Sequence, residues 1–225
     1  MVKNHLKRLK MPRTWPIPRK TNTWITRQNS GPHRIENSMP VNVVLRDLLG
    51  YARTTKEAKK ILNDKEVLIN KIARKDHRFP VGIFDIIEIP KNKENYVMIL
   101  NKKGKLYLHK INETSKKYIK IIGKTALKKN KIQINLHDGS NFISDKKDYK
   151  VNDTLVIDLK TKKILKELKF ENGSYAFITS GKYSGSSGEI KSIKDKQIEI
   201  KIDKDAIKVP KEYIFVVEED FMKDE

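Results

Sequence analysis

The sequence holds no cysteine, which excludes disulfides and thiolate metal centres. No apolar run approaches the length of a membrane span. None follows the basic opening MVKNHLKRLK either, so no secretory signal is expected. Arginine is missing from Phe79 to Glu225, although lysine is plentiful there. The apolar fraction of 37%, with 8% aromatic, suits several small cores better than one large one. A soluble intracellular chain, of one large domain or two to four small modules, is the expectation.

What is present is positive charge. The 225 residues carry 49 Lys+Arg against 28 Asp+Glu, a formal +21. A charge of that size repels itself unless a polyanion balances it, and nucleic acid binds such a surface through counterion release. Lysine is abundant together with isoleucine and asparagine, a compositional bias that weakens the total as an argument. Arginine escapes it. All nine arginines (Arg8, Arg13, Arg19, Arg27, Arg34, Arg46, Arg53, Arg74 and Arg78) lie in the first third. Their planar guanidinium can grip phosphate with two bonds and stack on bases. The polyanion contact is therefore expected there.

Four segments follow from pattern. Residues 1–40 form a basic arm with Pro12, Pro16, Pro18, Pro32, Pro40, Trp15 and Trp24, and with Glu36 as the lone acid. Such proline density prevents long helices and central strands. The arm either orders on its partner or drapes over its own domain. Its two indoles accordingly either stack on unpaired bases or cover an apolar edge near Val41 or Leu45.

Residues 41–90 read as helix, helix and strand. Val43, Val44, Leu45, Leu48 and Leu49 make one amphipathic helix, stopped by Gly50. Thr54 and Glu57 frame a capping box for a second, with Ala58, Ile61 and Leu62 inward and Lys56, Lys59 and Lys60 outward. Strand 66–70, a basic turn Lys71–Arg78, and strand 83–89 complete it. Residues 91–170 alternate with period two, as in a small barrel. Residues 171–225 begin with a second all-β unit whose loop carries Gly181, Lys182, Gly185 and Gly188, and end in a solvated acidic tail from Glu218.

The text His5-Leu6-Lys7-Arg8, Pro12, Trp15-Pro16-Ile17-Pro18-Arg19-Lys20 and Gly31-Pro32-His33 resembles the opening of the S4e family of small-subunit ribosomal proteins, the archaeal and eukaryotic type. The module order agrees from about residue 3 to 217: an S4-type RNA-binding domain at 41–90, a central β region, and a KOW motif at 173–190. The resemblance implies an α+β, multi-module fold, with a helix–helix–strand domain, a central β-barrel-like domain and a C-terminal SH3-like KOW β-barrel. It implies RNA contacts at Arg46, Arg53, Lys56, Lys59, Lys60, Arg74 and Arg78. In the arm the candidates are Lys3, His5, Lys7, Arg8, Arg13, Trp15, Arg19, Lys20, Trp24, Arg27, His33 and Arg34. The turn after Val67–Ile69 usually carries glycine in this family; here Asn70-Lys71 stands, and Asn tolerates left-handed backbone. The KOW glycines are expected to serve special backbone angles or close approach to an RNA backbone.

Catalytic chemistry is missing from the pattern. His5, His33, His77, His109 and His137 lack metal-ligand spacing. No GxxxxGK[ST] phosphate loop occurs, and Asp47, Asp85 and Asp138 suit turns and solvated faces. The expected function is a structural constituent of the small ribosomal subunit, on cytoplasmic ribosomes. Its expected partners are small-subunit rRNA and neighbouring ribosomal proteins, with no cofactor, metal, membrane or small-molecule substrate. The alternatives are a free transcription or translation factor carrying S4 and KOW modules and, more remotely, an RNA-modifying enzyme.

Overall fold

The computed structural model describes residues 4–128, 131–145, 148–194, 197–202 and 205–219. They form two compact units: one runs through Ile99 and adds Lys105–Thr114, and the other holds Leu100–Gly104 and the chain from Ser115 onward. Strand dominates and helices are few.

The first unit contains β1 (Leu6–Lys7), β2 (Trp24–Ile25), β3 (Ser38–Pro40), β4 (Leu68–Ile69), β5 (Ile72–Ala73), β6 (Pro80–Gly82), β7 (Ile86–Ile89), β8 (Glu94–Leu100) and β9 (Leu106–Lys110). β1 pairs with β2 and β3 with β6; the other five form a sheet ordered β5-β4-β7-β8-β9. This moves the expected boundary at residues 90/91. Ile86 to Ile89 pair with Val97 to Glu94, so β8 and β9 extend the sheet that β4 and β7 begin.

Val41–Val43 (α1) opens a helix that continues as a π turn over Val44–Leu48. The Tyr51 N–H bonds to the Leu45 carbonyl across Gly50, at φ +71°, and closes the helix. Val41, Val43, Val44 and Leu45 are wholly buried. In α2 (Thr55–Asn63) the capping box forms as read. Thr54 Oγ1 accepts from the Glu57 N–H at 3.3 Å, and the Glu57 carboxylate accepts from the Arg53 N–H at 2.8 Å. Between β4 and β5 both Asn70 and Lys71 are left-handed, at φ +50° and +66°, as a two-residue hairpin turn requires. Asn70 fixes that turn through its side chain. It donates to Asp85 Oδ1 at 2.8 Å and accepts from the Ile86 N–H at 3.0 Å.

The arm contributes buried residues. Met11, Trp15, Ile17 and Ile25 are buried, and the Leu106 N–H donates to the Thr14 carbonyl at 2.8 Å. The draped arrangement is the one adopted.

The second unit contains β10 (Lys116–Ala126), β11 (Ile132–Leu136), β12 (Asn141–Ser144), β13 (Thr154–Asp158) and β14 (Ile164–Leu168), ordered β12-β11-β10-β13-β14. Among the described residues this pairing order is linear, with β12 and β14 at its edges. Alternate residues Ile119, Ile121, Ile134, Leu136, Leu155 and Ile157 make its core. A second sheet follows, of β15 (Tyr175–Ile178), β16 (Ser187–Ile193), β17 (Gln197–Ile202), β18 (Asp205–Pro210) and β19 (Ile214–Val216), ordered β18-β17-β16-β15-β19. Ala176, Ile178, Ile190, Ile198 and Ile200 fill it. Lys120 lies between two core isoleucines and points the other way. Its Nζ donates to the carbonyls of Ile214, Glu212 and Lys211 at 2.7, 3.0 and 3.3 Å. Of the acidic tail, Asp220–Glu225 lie outside the described residues. Glu218 is not left to solvent: it accepts from Lys166 Nζ at 2.6 Å and from the Tyr118 hydroxyl at 2.9 Å.

Candidate nucleic-acid interface

In the β1–β2 ladder Leu6 faces Ile25 and Lys7 faces Trp24. Ile25 turns inward and is buried, so the alternation of a strand turns Trp24 outward, 56% exposed. The His5 ring tilts against it, with centroids 5.7 Å apart and planes at 57°. Beside this indole opens a cleft of about 260 Å³. Its walls come from three segments: His5, Trp24 and Arg27 of the arm, Arg46 and Thr55 of the helical region, and His77 and Arg78 of the loop before β6.

One buried side chain joins these walls. Asn42 Nδ2 donates to Thr26 Oγ1 at 2.6 Å and to Thr55 Oγ1 at 3.3 Å, while the Asn42 N–H donates to the His77 carbonyl at 3.0 Å. Two acids stand behind the walls. Asp47 holds Arg46 Nη2 at 2.7 Å. Asp76 accepts the Arg78 N–H at 2.9 Å and Asn29 Nδ2 at 2.7 Å, tying loop to arm. No carboxylate among the described residues lines the cleft itself. Burial first, and then the charge of Lys59, hold the His77 imidazole below its ordinary pKa. The arrangement offers cations, hydroxyls and an open aromatic face. It suits a ligand rich in negative charge and hydrogen-bond acceptors.

Of the candidates read from sequence, the cleft gathers His5, Trp24, Arg27, Arg46 and Arg78. Thr26, Thr55 and His77 line it too and were not among them. Asn42 is a polar residue inside the apolar run Val41–Leu45, and that oddity was the available signal. Lys7, Arg13, Lys20, Arg34, Arg53, Lys56, Lys59 and Lys60 are exposed elsewhere. Arg19 donates to the Leu9 carbonyl at 3.0 Å, and the Arg74 guanidinium lies 4.5 Å from the centre of the Phe79 ring. Lys3 lies outside the described residues.

Three candidates are corrected because the fold itself takes them up. Trp15 is 1% exposed and its Nε1 donates to the Ser38 carbonyl at 2.8 Å; a ring sealed in this way has no face for a base. Arg8 is buried, with Nε donating to the Pro18 carbonyl at 2.6 Å. His33 is buried with Nε2 2.9 Å from Asp85 Oδ2. The KOW glycines are likewise claimed from within. Gly181 and Gly185 sit at φ +91° and +81°. A Cβ on Gly185 would lie 1.9 Å from the Asn101 carbonyl oxygen, and one on Gly188 2.1 Å from that of Lys201. The backbone pressed against Gly185 and Gly188 is the protein's own, which leaves no room there for that of an RNA. Lys182 is exposed, its Nζ 5.4 Å from the centre of the Tyr183 ring.

A β-rich chain of several modules, with arginines around an acid-free cleft, defines a nucleic-acid-binding protein. Among the described residues no three His, Asp or Glu side chains gather as a metal site would need, and no helix is long and apolar enough to cross a membrane. Comparison with known proteins gives the particular family. The profile of "Ribosomal family S4e" matches residues 92–164, and that of the "RS4NT (NUC023) domain" matches 2–36. A small ribosomal subunit protein eS4 from Methanococcus aeolicus is 39% identical, covering 97% of this chain and 95% of that one. Another, from Methanosphaera stadtmanae, is 43% identical and covers 85% and 80%. The crystal structure of the 30S ribosomal protein S4e from Thermoplasma acidophilum matches with a TM-score of 0.71 at 29% identity, over 80% of this chain and 95% of that one. The chain belongs to the ribosomal S4e family, which is structural and not enzymatic.

Proposed function

We propose that this chain is a structural constituent of the small ribosomal subunit that binds small-subunit rRNA and helps to fold it, beside neighbouring ribosomal proteins on cytoplasmic ribosomes. The observation that carries this reading is the cleft in which arm and helical module bring Arg27, Arg46 and Arg78 together with no lining acid. The names of its relatives support it. The exposed lysines of α2 extend the same basic surface, and the second unit adds position and protein contacts more than affinity.

The test is sedimentation of cell extract. The chain should travel with small subunits after a high-salt wash, whereas release into the soluble fraction favours a free RNA-binding factor. The isolated protein should bind rRNA with a steep salt dependence. If about eight phosphates are neutralised, affinity falls roughly 10³- to 10⁴-fold between 50 and 200 mM salt. A flat dependence would count against the interface.

A further inference from the structure

We infer that the cleft seats a single unpaired nucleotide, its base laid on the open face of Trp24 and its phosphates held by Arg27 and Arg78. This rests on the RNA-binding reading above and gives it a ligand class. The first ground is size. At about 260 Å³ the space falls just below the usual size of small-ligand pockets. It takes one nucleotide and cannot admit a duplex.

The second ground is the platform. Trp24 is 56% exposed while its neighbour Ile25 is buried. Its backbone is held in a ladder opposite Lys7, and His5 leans on the ring. The indole is thus fixed in place with one flank uncovered. A base within a duplex has both faces stacked, so only an unpaired one can use that flank.

The third ground is the sense of the hydrogen bonds. The oxygens of Thr26 and Thr55 both accept from Asn42, which leaves their hydroxyl hydrogens to be donated elsewhere. Arg46 also directs Nη1 at Thr55 Oγ1, at 3.4 Å. Arginine donors and threonine hydroxyls thus meet in the walls, and the edges, sugar and phosphates of a nucleotide are rich in acceptors. Asn42, which is wholly buried, holds the walls in register, so the seat exists before a ligand arrives.

The experiment uses the full chain at low salt with two probes, a single-stranded oligoadenylate and a fully paired RNA duplex of equal length. Trp15 is sealed, so any quenching of tryptophan emission reports Trp24. The oligoadenylate should quench it and the duplex should not. Trp24→Ala should weaken oligoadenylate binding about 5- to 150-fold, the range seen for loss of one aromatic stack. Duplex affinity and melting temperature should stay unchanged, and Trp24→Phe should keep most of the binding. If Trp24→Ala binds oligoadenylate as the parent does, or if the duplex quenches equally, the seat is wrong. Should small-subunit rRNA still bind in that case, the broader function stands. A parent chain that binds neither oligoadenylate nor rRNA overturns both.

Discussion

The two units treat their cations differently. In the first, Arg27, Arg46 and Arg78 line a cleft, with Asp47 holding the Arg46 guanidinium and Asp76 accepting the Arg78 backbone N–H. In the second, the most constrained cations point inward. Lys117 is 3% exposed with Nζ 3.1 Å from Asp138 Oδ2, and Lys120 is 5% exposed beneath three backbone carbonyls. Lysine suits that inward role, because its slender stem and three rotatable donors can satisfy a cluster of carbonyls. Arg8, donating to Pro18, Arg19, donating to Leu9, and Lys71, paired with Glu88, are exceptions in the first unit. The contrast teaches that counting positive residues does not locate an interface. What locates it is which cations the fold leaves facing empty space.

The comparison is challenged most severely where the second unit owes its special residues to its own folding. Gly185→Val places a side chain against the Asn101 carbonyl in a left-handed backbone. The cooperative unfolding transition of the second unit should disappear in calorimetry, whereas Ser186→Ala should change stability by no more than about 0.5 kcal/mol. A normal melt for Gly185→Val would return the loop to partner binding. Next in size is the pair of indoles. Trp15→Ala should cost roughly 3–5 kcal/mol in denaturant unfolding, as removal of a buried ring does, and Trp24→Ala should cost almost nothing. Equal costs would erase the distinction between a folding tryptophan and a presenting one.

The smallest effect concerns Lys120, whose pKa burial pushes down to about 8 from an ordinary 10.5. Between those values the unfolded chain holds more protons than the folded one at this position, so stability due to this group rises as pH climbs through the window. It is lost as pH falls through about 8. Lys120→Met lacks the titrating group, so its stability should climb less than the parent's between pH 8 and 10 in urea melts. Parallel curves would mean that the amine is solvated.

How far the sequence reached can be seen at particular residues. The capping box at Thr54 and Glu57 was legible because its partners lie three residues apart. The strands between residues 115 and 170 were legible from period two, save β12, whose four residues offer too little alternation. The boundary at 90/91 failed because Pro90 and the polar stretch after it look like a linker, while the pairing of β7 with β8 is a tertiary fact. Trp15 could not be assigned from composition, since its partner Ser38 is remote and ordinary. The cleft was half legible: each arginine was named, but their meeting depends on Asn42, whose partners lie 16 and 13 residues away.

The bonds between the arm and β9 also set an order of events during synthesis. The Thr14 carbonyl waits for the Leu106 N–H, and the Arg13 carbonyl for Lys105 Nζ, 92 residues later. At about 5–20 residues per second, translation leaves a gap of roughly 5–20 s. During it Met11, Trp15 and Ile17 are already made, while two of the bonds that hold their segment are not. A nascent chain in that interval shows water an apolar, strongly basic thread. The earliest piece to be made is thus among the last of its unit to settle, and it needs shelter from stray RNA until β9 arrives.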